Sequence, residues 1–212
     1  MTIEKGAAWG RPMTAPADAV PISSDAELAT AAAEAHARSE HLVAVLSPQA
    51  SGEPGAGRLV GDVARTLGLR RERPERERLG FPFDLGFVRL DGGPARAFVA
   101  HMVARRRFWT GEFAVVMNSA WMGEWYLGPR AHPNDGLLDV TVGSLPAGQR
   151  LVAWRRLPTG SHLPHPQLTT ARGRSFDHRM RHSTPIMIDG QRAGRARSIE
   201  AWIEPDCFTL VA

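Results

Sequence analysis

The stretch VVMNSAWMGEWYLGPRAHPNDGLLDVTV, Val115 to Val142, decides how the chain is read. Val115-Val116-Met117 and Leu137-Leu138-Asp139-Val140-Thr141-Val142 are β-branched or apolar runs suited to sheet. Between them Pro129, Pro133 and Asn134-Asp135-Gly136 can continue neither a helix nor a central strand. The spacing therefore predicts an acidic turn held between buried strands. Asp-Gly forms turns through backbone preference alone, so the residues leave two readings open: a well-made loop, and a turn with a catalytic or ligand role.

Short strands separated by turns continue on both sides. They are expected over 83–90, 95–103, 112–117, 121–127 and 138–142, and again over 168–171, 185–188, 199–203 and 208–211. Asp91-Gly92-Gly93 signals a hairpin, Asp189-Gly190 a tight turn, and 148–157 a short helix. This rhythm predicts a β-sandwich. Upstream the texture differs. Residues 1–21 read as an extended lead-in whose Trp9 docks on the body. Ser24-Asp25-Ala26-Glu27 is a capping box opening an alanine-rich helix to about Ala37. A buried strand over 41–47 and a second helix over 57–67, stopped by Gly68, complete a fragment of an α/β layer. The run RRERPERER, Arg70 to Arg78, is charged and broken by Pro74, so it reads as a solvated linker. The predicted fold is α+β: an N-terminal segment 1–21, a small α/β portion 22–69, and a mostly antiparallel β-sandwich 79–212.

With 212 residues, 43% of them hydrophobic and 23% charged, the chain has an ordinary globular balance rather than that of a disordered one. No apolar run approaches the roughly 18 residues of a membrane-spanning helix. The N-terminus MTIEKGAAWGRP lacks the apolar core of a signal peptide, and Cys207 is the single cysteine. These features predict a cytoplasmic protein without an internal disulfide. Lys5 is the only lysine against 25 arginines, a bias expected of a GC-rich genome. Net charge +4 is thus weak support for nucleic-acid binding. Arg105-Arg106-Arg107 before Phe108-Trp109 can be read as a solvated strand end or as a contact for phosphates or an acidic membrane surface.

Four segments, in order, resemble diacylglycerol kinases and the related bacterial lipid kinases of the NAD kinase superfamily. Pro129 to Val140, PRAHPNDGLLDV, resembles P-x-A-x-x-D-D-G-x-L-D-V; Gly61 to Gly68, GDVARTLG, resembles N-D-F-A-R-x-L-G. Ile188-Asp189-Gly190-Gln191 resembles I-D-G-E, and Phe83-Asp84-Leu85-Gly86 resembles the opening of that family's second domain. The resemblance covers about 22–212. It implies an α/β nucleotide-binding domain with a G-G-D-G-T loop, ATP and Mg2+ as cofactors, a β-sandwich that shapes the acceptor site, and phosphoryl transfer to a diacylglycerol-type hydroxyl.

At the loop's counterpart the chain has Ser23-Ser24-Asp25-Ala26-Glu27. The aspartate is kept and the three glycines are replaced. Ser23, Ser24, Asp25 and Asp62 are thus the expected nucleotide-binding positions, with Asp25 and Gln191 in the catalytic ones. Gln191 stands where the family has its glutamate, and glutamine cannot accept a proton, a loss worth on the order of a hundredfold to ten-thousandfold in rate. Gly61 replaces the family's asparagine. With 22 residues before Ser23, an upstream strand, turn and helix of the nucleotide layer are expected to be missing. ATP and Mg2+ binding is therefore expected to be weak or absent, with a lipid or other small molecule as ligand and the truncated sheet covered by residues 1–21, a homodimer or a partner chain.

Asp135, Asp139 and Asp189 form the expected acidic cluster, with Asp135 the candidate Mg2+ ligand. Each acid also has a plain structural reading: Asp25 as a cap, Asp62 as a helix-surface charge, Asp189 as a turn residue. Two further readings are weaker. Zinc on His162-x-x-His165 with His178 and His182 meets Pro164 and Pro166, which argue against the helix that pairing would need, so no zinc is expected. Nucleic-acid binding through 70–78 and 105–107 lacks interleaved stacking aromatics and is not expected.

Overall fold

The structure, a computed structural model, describes residues 9–47, 61–69 and 77–212. Strands β1 (Arg11–Pro12) and β2 (Val20–Ile22) lead into helix α1 (Asp25–Ala37), strand β3 (Leu42–Leu46) and short helix α2 (Asp62–Thr66). Then come β4 (Leu79–Leu90), β5 (Ala95–Phe98), β6 (His101–Ala104), β7 (Glu112–Met117) and β8 (Leu138–Ser144). Helix α3 (Ala147–Arg156), β9 (Leu168–Gly173), β10 (Ser175–Ile188) and β11 (Gln191–Val211) complete the chain. The fold is α+β and mostly antiparallel, as the strand rhythm predicts. The strands run in the order β1-β4-β11-β10-β6-β7-β8-β9, with β5 on β4.

This path curls so that Val88, Phe98, Met102, Val116, Leu138, Met180 and Ile199, from seven strands, share one interior. β7 and β8, the strands bracketing the quoted stretch, pair antiparallel with Val115 opposite Thr141 and Met117 opposite Asp139. Helix α1 starts as its capping box predicts, with Ser24 Oγ accepting from the Glu27 N–H. Its buried face is Leu28, Ala29, Ala32 and Ala35, and small alanines let it lie close on Phe83, Phe208 and Leu210. Burying Leu28 alone is worth about 2 kcal/mol. β3 pairs in parallel with β2 on one side and with the last residues of β11 on the other, Leu42 opposite Phe208. The α/β portion and the sandwich therefore share one sheet. Trp9 docks on the body: its Nε1 donates to the Pro82 carbonyl at 3.0 Å and its ring meets Phe81, Phe83 and His132.

Several expected elements change. Residues 121–127 are not a strand. They form a turn with a single Met122–Trp125 bridge, because Gly123 takes a left-handed φ of 56°. The strand expected over 95–103 breaks between β5 and β6, where the Asp189 carboxylate captures the amides of Val99, Ala100 and His101. The strands expected over 199–203 and 208–211 are one strand, β11, with a register shift between Glu204 and Phe208. Helix α2 spans only Asp62–Thr66; 57–60, and most of the expected linker 70–78, lie outside the described residues.

A candidate site of three converging aspartates

Asp25, the first residue of α1, extends its side chain to the start of α2, where Oδ2 accepts from the Asp62 N–H at 2.6 Å. That approach depends on Gly61. Its φ of 129° disfavours other residues, and a Cβ there would lie 2.5 Å from Asp25 Oδ1. Gly61 and Asp25 are thus fitted to each other, and an asparagine at 61 would collide with this arrangement. Asp62 in turn accepts from the Gly123 N–H at 2.6 Å, and its Oδ2 lies 3.4 Å from His101 Nδ1. Buried His101 is held down to about 4 by desolvation, so its imidazole is neutral at pH 7.

Asp189 closes the constellation from the turn between β10 and β11. Its backbone (φ 43°) and that of Gly190 (φ 77°) are both left-handed, the geometry of a tight hairpin turn. Its carboxylate accepts from the amides of Val99, Ala100 and His101 at 2.8 to 2.9 Å. Burial pushes Asp25 and Asp189 each up to about 7, against the pull of their amide donors; the charge on Asp25 adds to the rise at Asp189. Burial also raises Asp62, opposed by the Gly123 amide and then by Arg65. Among the described residues neither Asp25 nor Asp189 forms an ion pair.

Gln191 follows two residues later and is exposed. It lines two recesses flanking the start of α1, one of about 590 Å³ with Ile22, Ser23, Glu27 and Ser47, the other of about 330 Å³ with Arg96, Asp189 and Arg192. At the helix start itself, the Glu27 carboxylate accepts from both the Ser23 N–H and Ser23 Oγ at 2.8 Å, while the Glu27 N–H is held by Ser24. These bonds hold the exposed Glu27 carboxyl below its ordinary range. The protein's own anion thus sits where a helix N-terminus would receive a foreign one.

The expected acidic cluster separates. Asp189 stands with Asp25 and Asp62, apart from Asp135 and Asp139, because the β10–β11 turn packs against the 99–101 loop. Asp135 accepts from the Leu137 N–H at 3.0 Å and ion-pairs with Arg172. Asp139 lies 3.2 Å from Arg130 and 3.3 Å from Arg172. Both oxygens of Asp135, the candidate Mg2+ ligand, therefore meet protein donors. Burial pushes Asp135 up to about 6 against the pull of Arg172. Of the four histidines weighed for zinc, His162 is buried beneath α3 while His178 meets Glu112 on β7 at 3.2 Å.

Asp84, which in the sequence stands out only within Phe83-Asp84-Leu85-Gly86 and without a role, and His101, which no motif marks, both hold parts of the site together. Asp84 is fully buried in β4, where it accepts from the Gly136 N–H at 2.6 Å and the Asp206 N–H at 2.9 Å, with Asn134 Nδ2 at 3.4 Å. It anchors the Asn134-Asp135-Gly136 turn, and burial holds it up at about 6. The available signal was an acid inside the otherwise apolar run FPFDLGF.

The fold class is thus a curled antiparallel sandwich that shares its sheet with a small α/β portion, with the aspartate constellation at their junction. Residues 90–212 match the YegS C-terminal NAD kinase beta sandwich-like domain, so over more than half its length the chain belongs to that family. Two structures of a protein named as a diacylglycerol kinase from Bacillus anthracis str. Sterne share the fold at 12% identity, with TM-scores of 0.55 and 0.53. In both cases the match covers 81% of this chain and 69% of the other. No curated protein sequence matches the chain. Among the described residues no helix is long and apolar enough to cross a membrane.

Proposed function

We propose that this is a lipid-kinase-like protein in which phosphoryl transfer is lost or weak, and in which the sandwich is kept as a binding or regulatory module. The observation that carries this reading is the occupied first turn of α1. Ser23 and Glu27 spend their amides on Glu27 and Ser24, and the Glu27 carboxylate holds the place a nucleotide phosphate would need. Phosphoryl transfer depends on positioned donors and on neutralised charge, and a resident anion opposes both. Gln191 supplies an amide where a base is required. ATP and Mg2+ therefore fit poorly at this turn. In this reading 22–69 is a nucleotide-binding-like portion, and the ligand is a lipid or another small molecule. A second chain would cover β2, which among the described residues pairs only with β3.

A working lipid kinase is the second reading, favoured by the convergence of Asp25, Asp62, Asp189 and Gln191. Titration of the purified protein with magnesium and ATP, followed by an assay of diacylglycerol phosphorylation, separates the two. We expect no thermal stabilisation at millimolar ATP, no phosphorylation above a control, and no rescue by Gln191→Glu alone. Turnover on the order of one per second, abolished by Asp25→Ala, overturns the reading.

A further inference from the structure

Helix α3 buries none of its residues, yet its sequence is AGQRLVAWRR. Leu151 and Val152 are 53% and 48% exposed, and Trp154 is 37% exposed. At about 100° per residue, Leu151, Arg155, Val152 and Arg156 fall within roughly 140° of one face. The opposite face is turned to the body: Ala153 and Trp154 line a small apolar cavity with Trp109, and the Trp154 ring meets Trp125 at 6.2 Å. Trp109 belongs to the neighbouring loop, and the next residue outward is Phe108. Phe108 is 56% exposed, the most exposed of the large hydrophobic residues described, and is held there by a left-handed φ of 53°. Arg105 stacks on Trp109 at 5.1 Å and Arg107 on Phe108 at 4.7 Å.

One end of the molecule thus presents Phe108, Leu151 and Val152 among the exposed Arg106, Arg107, Arg155 and Arg156. No acidic residue occurs in 105–111 or 145–161. We infer that this end docks on an anionic lipid bilayer, with Phe108 and α3 entering the headgroup layer and the arginines meeting lipid phosphates. The combination decides the occupant. Exposed apolar side chains on a cationic helix lose contact with water only in a medium that is both apolar and negative, which an anionic interface supplies. A second copy docked symmetrically on this face would set the arginines against one another. A nucleic acid would answer the arginines and leave Leu151 and Val152 without a role. This inference uses none of the residues around Asp25 and holds whether or not phosphoryl transfer survives.

The test is co-sedimentation of the full chain with phosphatidylcholine vesicles, with and without phosphatidylglycerol. We expect binding only to the anionic vesicles, weakening as salt rises. Arg155→Gln/Arg156→Gln should lower the affinity about fivefold for each arginine. Leu151→Ser/Val152→Ser should lower it at least fivefold with the melting temperature unchanged, since both side chains are exposed. Absence of binding to anionic vesicles overturns the inference. So does binding that Leu151→Ser/Val152→Ser leaves intact, which would mark a purely electrostatic anion surface. A wild-type dimer that the same double substitution converts to monomer would assign the face to a second copy.

Discussion

Two groups of three aspartates lie in this molecule, and they are held by different means. Asp135 and Asp139, with Asp84 beneath them, sit at the Asn134-Asp135-Gly136 turn, where Arg130 and Arg172 supply counter-charge. Asp25, Asp62 and Asp189 meet at the start of α1. There backbone amides do most of the holding, Asp62 alone has Arg65 and neutral His101 nearby, and Asp25 and Asp189 form no ion pair among the described residues. Both groups titrate above the ordinary carboxylate range because both are desolvated. Asp135 and Asp139 are pulled back by arginine, Asp25 and Asp189 are not, and Asp62 is pulled back first by the Gly123 amide and then by Arg65. An Asp-Gly turn in sequence thus says little about charge compensation, which comes from residues far along the chain such as Arg172 on β9.

The largest effect expected from this contrast is at Asp189. Asp189→Ala would leave the amides of Val99, Ala100 and His101 without their acceptor in a buried loop, at a cost of about 3 to 5 kcal/mol in urea unfolding. A loss below about 1 kcal/mol would mean that water enters the loop freely and that the site is not built around this carboxylate.

A second test uses pH. Asp25 is raised from 3.8 to about 7, so between those values the folded state holds a proton that the unfolded state has released. Its contribution to stability is therefore greatest near pH 4 and is lost as pH rises through 7. His101, lowered to about 4, acts in the opposite sense as pH falls below 6.5, but equally in wild type and in an Asp25 variant. The stability of Asp25→Asn relative to wild type should thus increase from pH 5 to pH 8, on the order of 2 kcal/mol. Parallel curves over that range would show that Asp25 ionises as an ordinary carboxylate and would erase the distinction between the two groups.

The smallest expected effect is at the compensated cluster. Arg172→Gln removes a partly exposed guanidinium shared by Asp135 and Asp139 and should cost about 1 kcal/mol at low ionic strength, less in high salt. A salt-independent loss of several kcal/mol would mean that Arg172 acts by packing, and that counter-charge does not separate the two groups.

By itself the sequence determined the elements whose causes are local. Ser24 and Glu27 cap α1, Asp91-Gly92-Gly93 closes the β4–β5 hairpin, the run 112–117 is β7, and α3 lies where its helix was expected. In each, neighbouring backbone and side-chain preferences agree. The resemblance to lipid kinases likewise picked out Asp25, Asp62, Asp189 and Gln191 before any contact among them was known. Tertiary structure alone decided which acids meet. Asp189 joins Asp25 instead of Asp135, because the turn between β10 and β11 packs on the 99–101 loop. The same capture ends β5, which strand propensity would have carried on to Val103. Asp84 and His101 gained their places only through amides and side chains tens of residues away, and Gly61 gained its necessity from the Asp25 carboxylate beside it. Desolvation and hydrogen bonding across the fold depend on what the folded chain brings near, so no local pattern carries them.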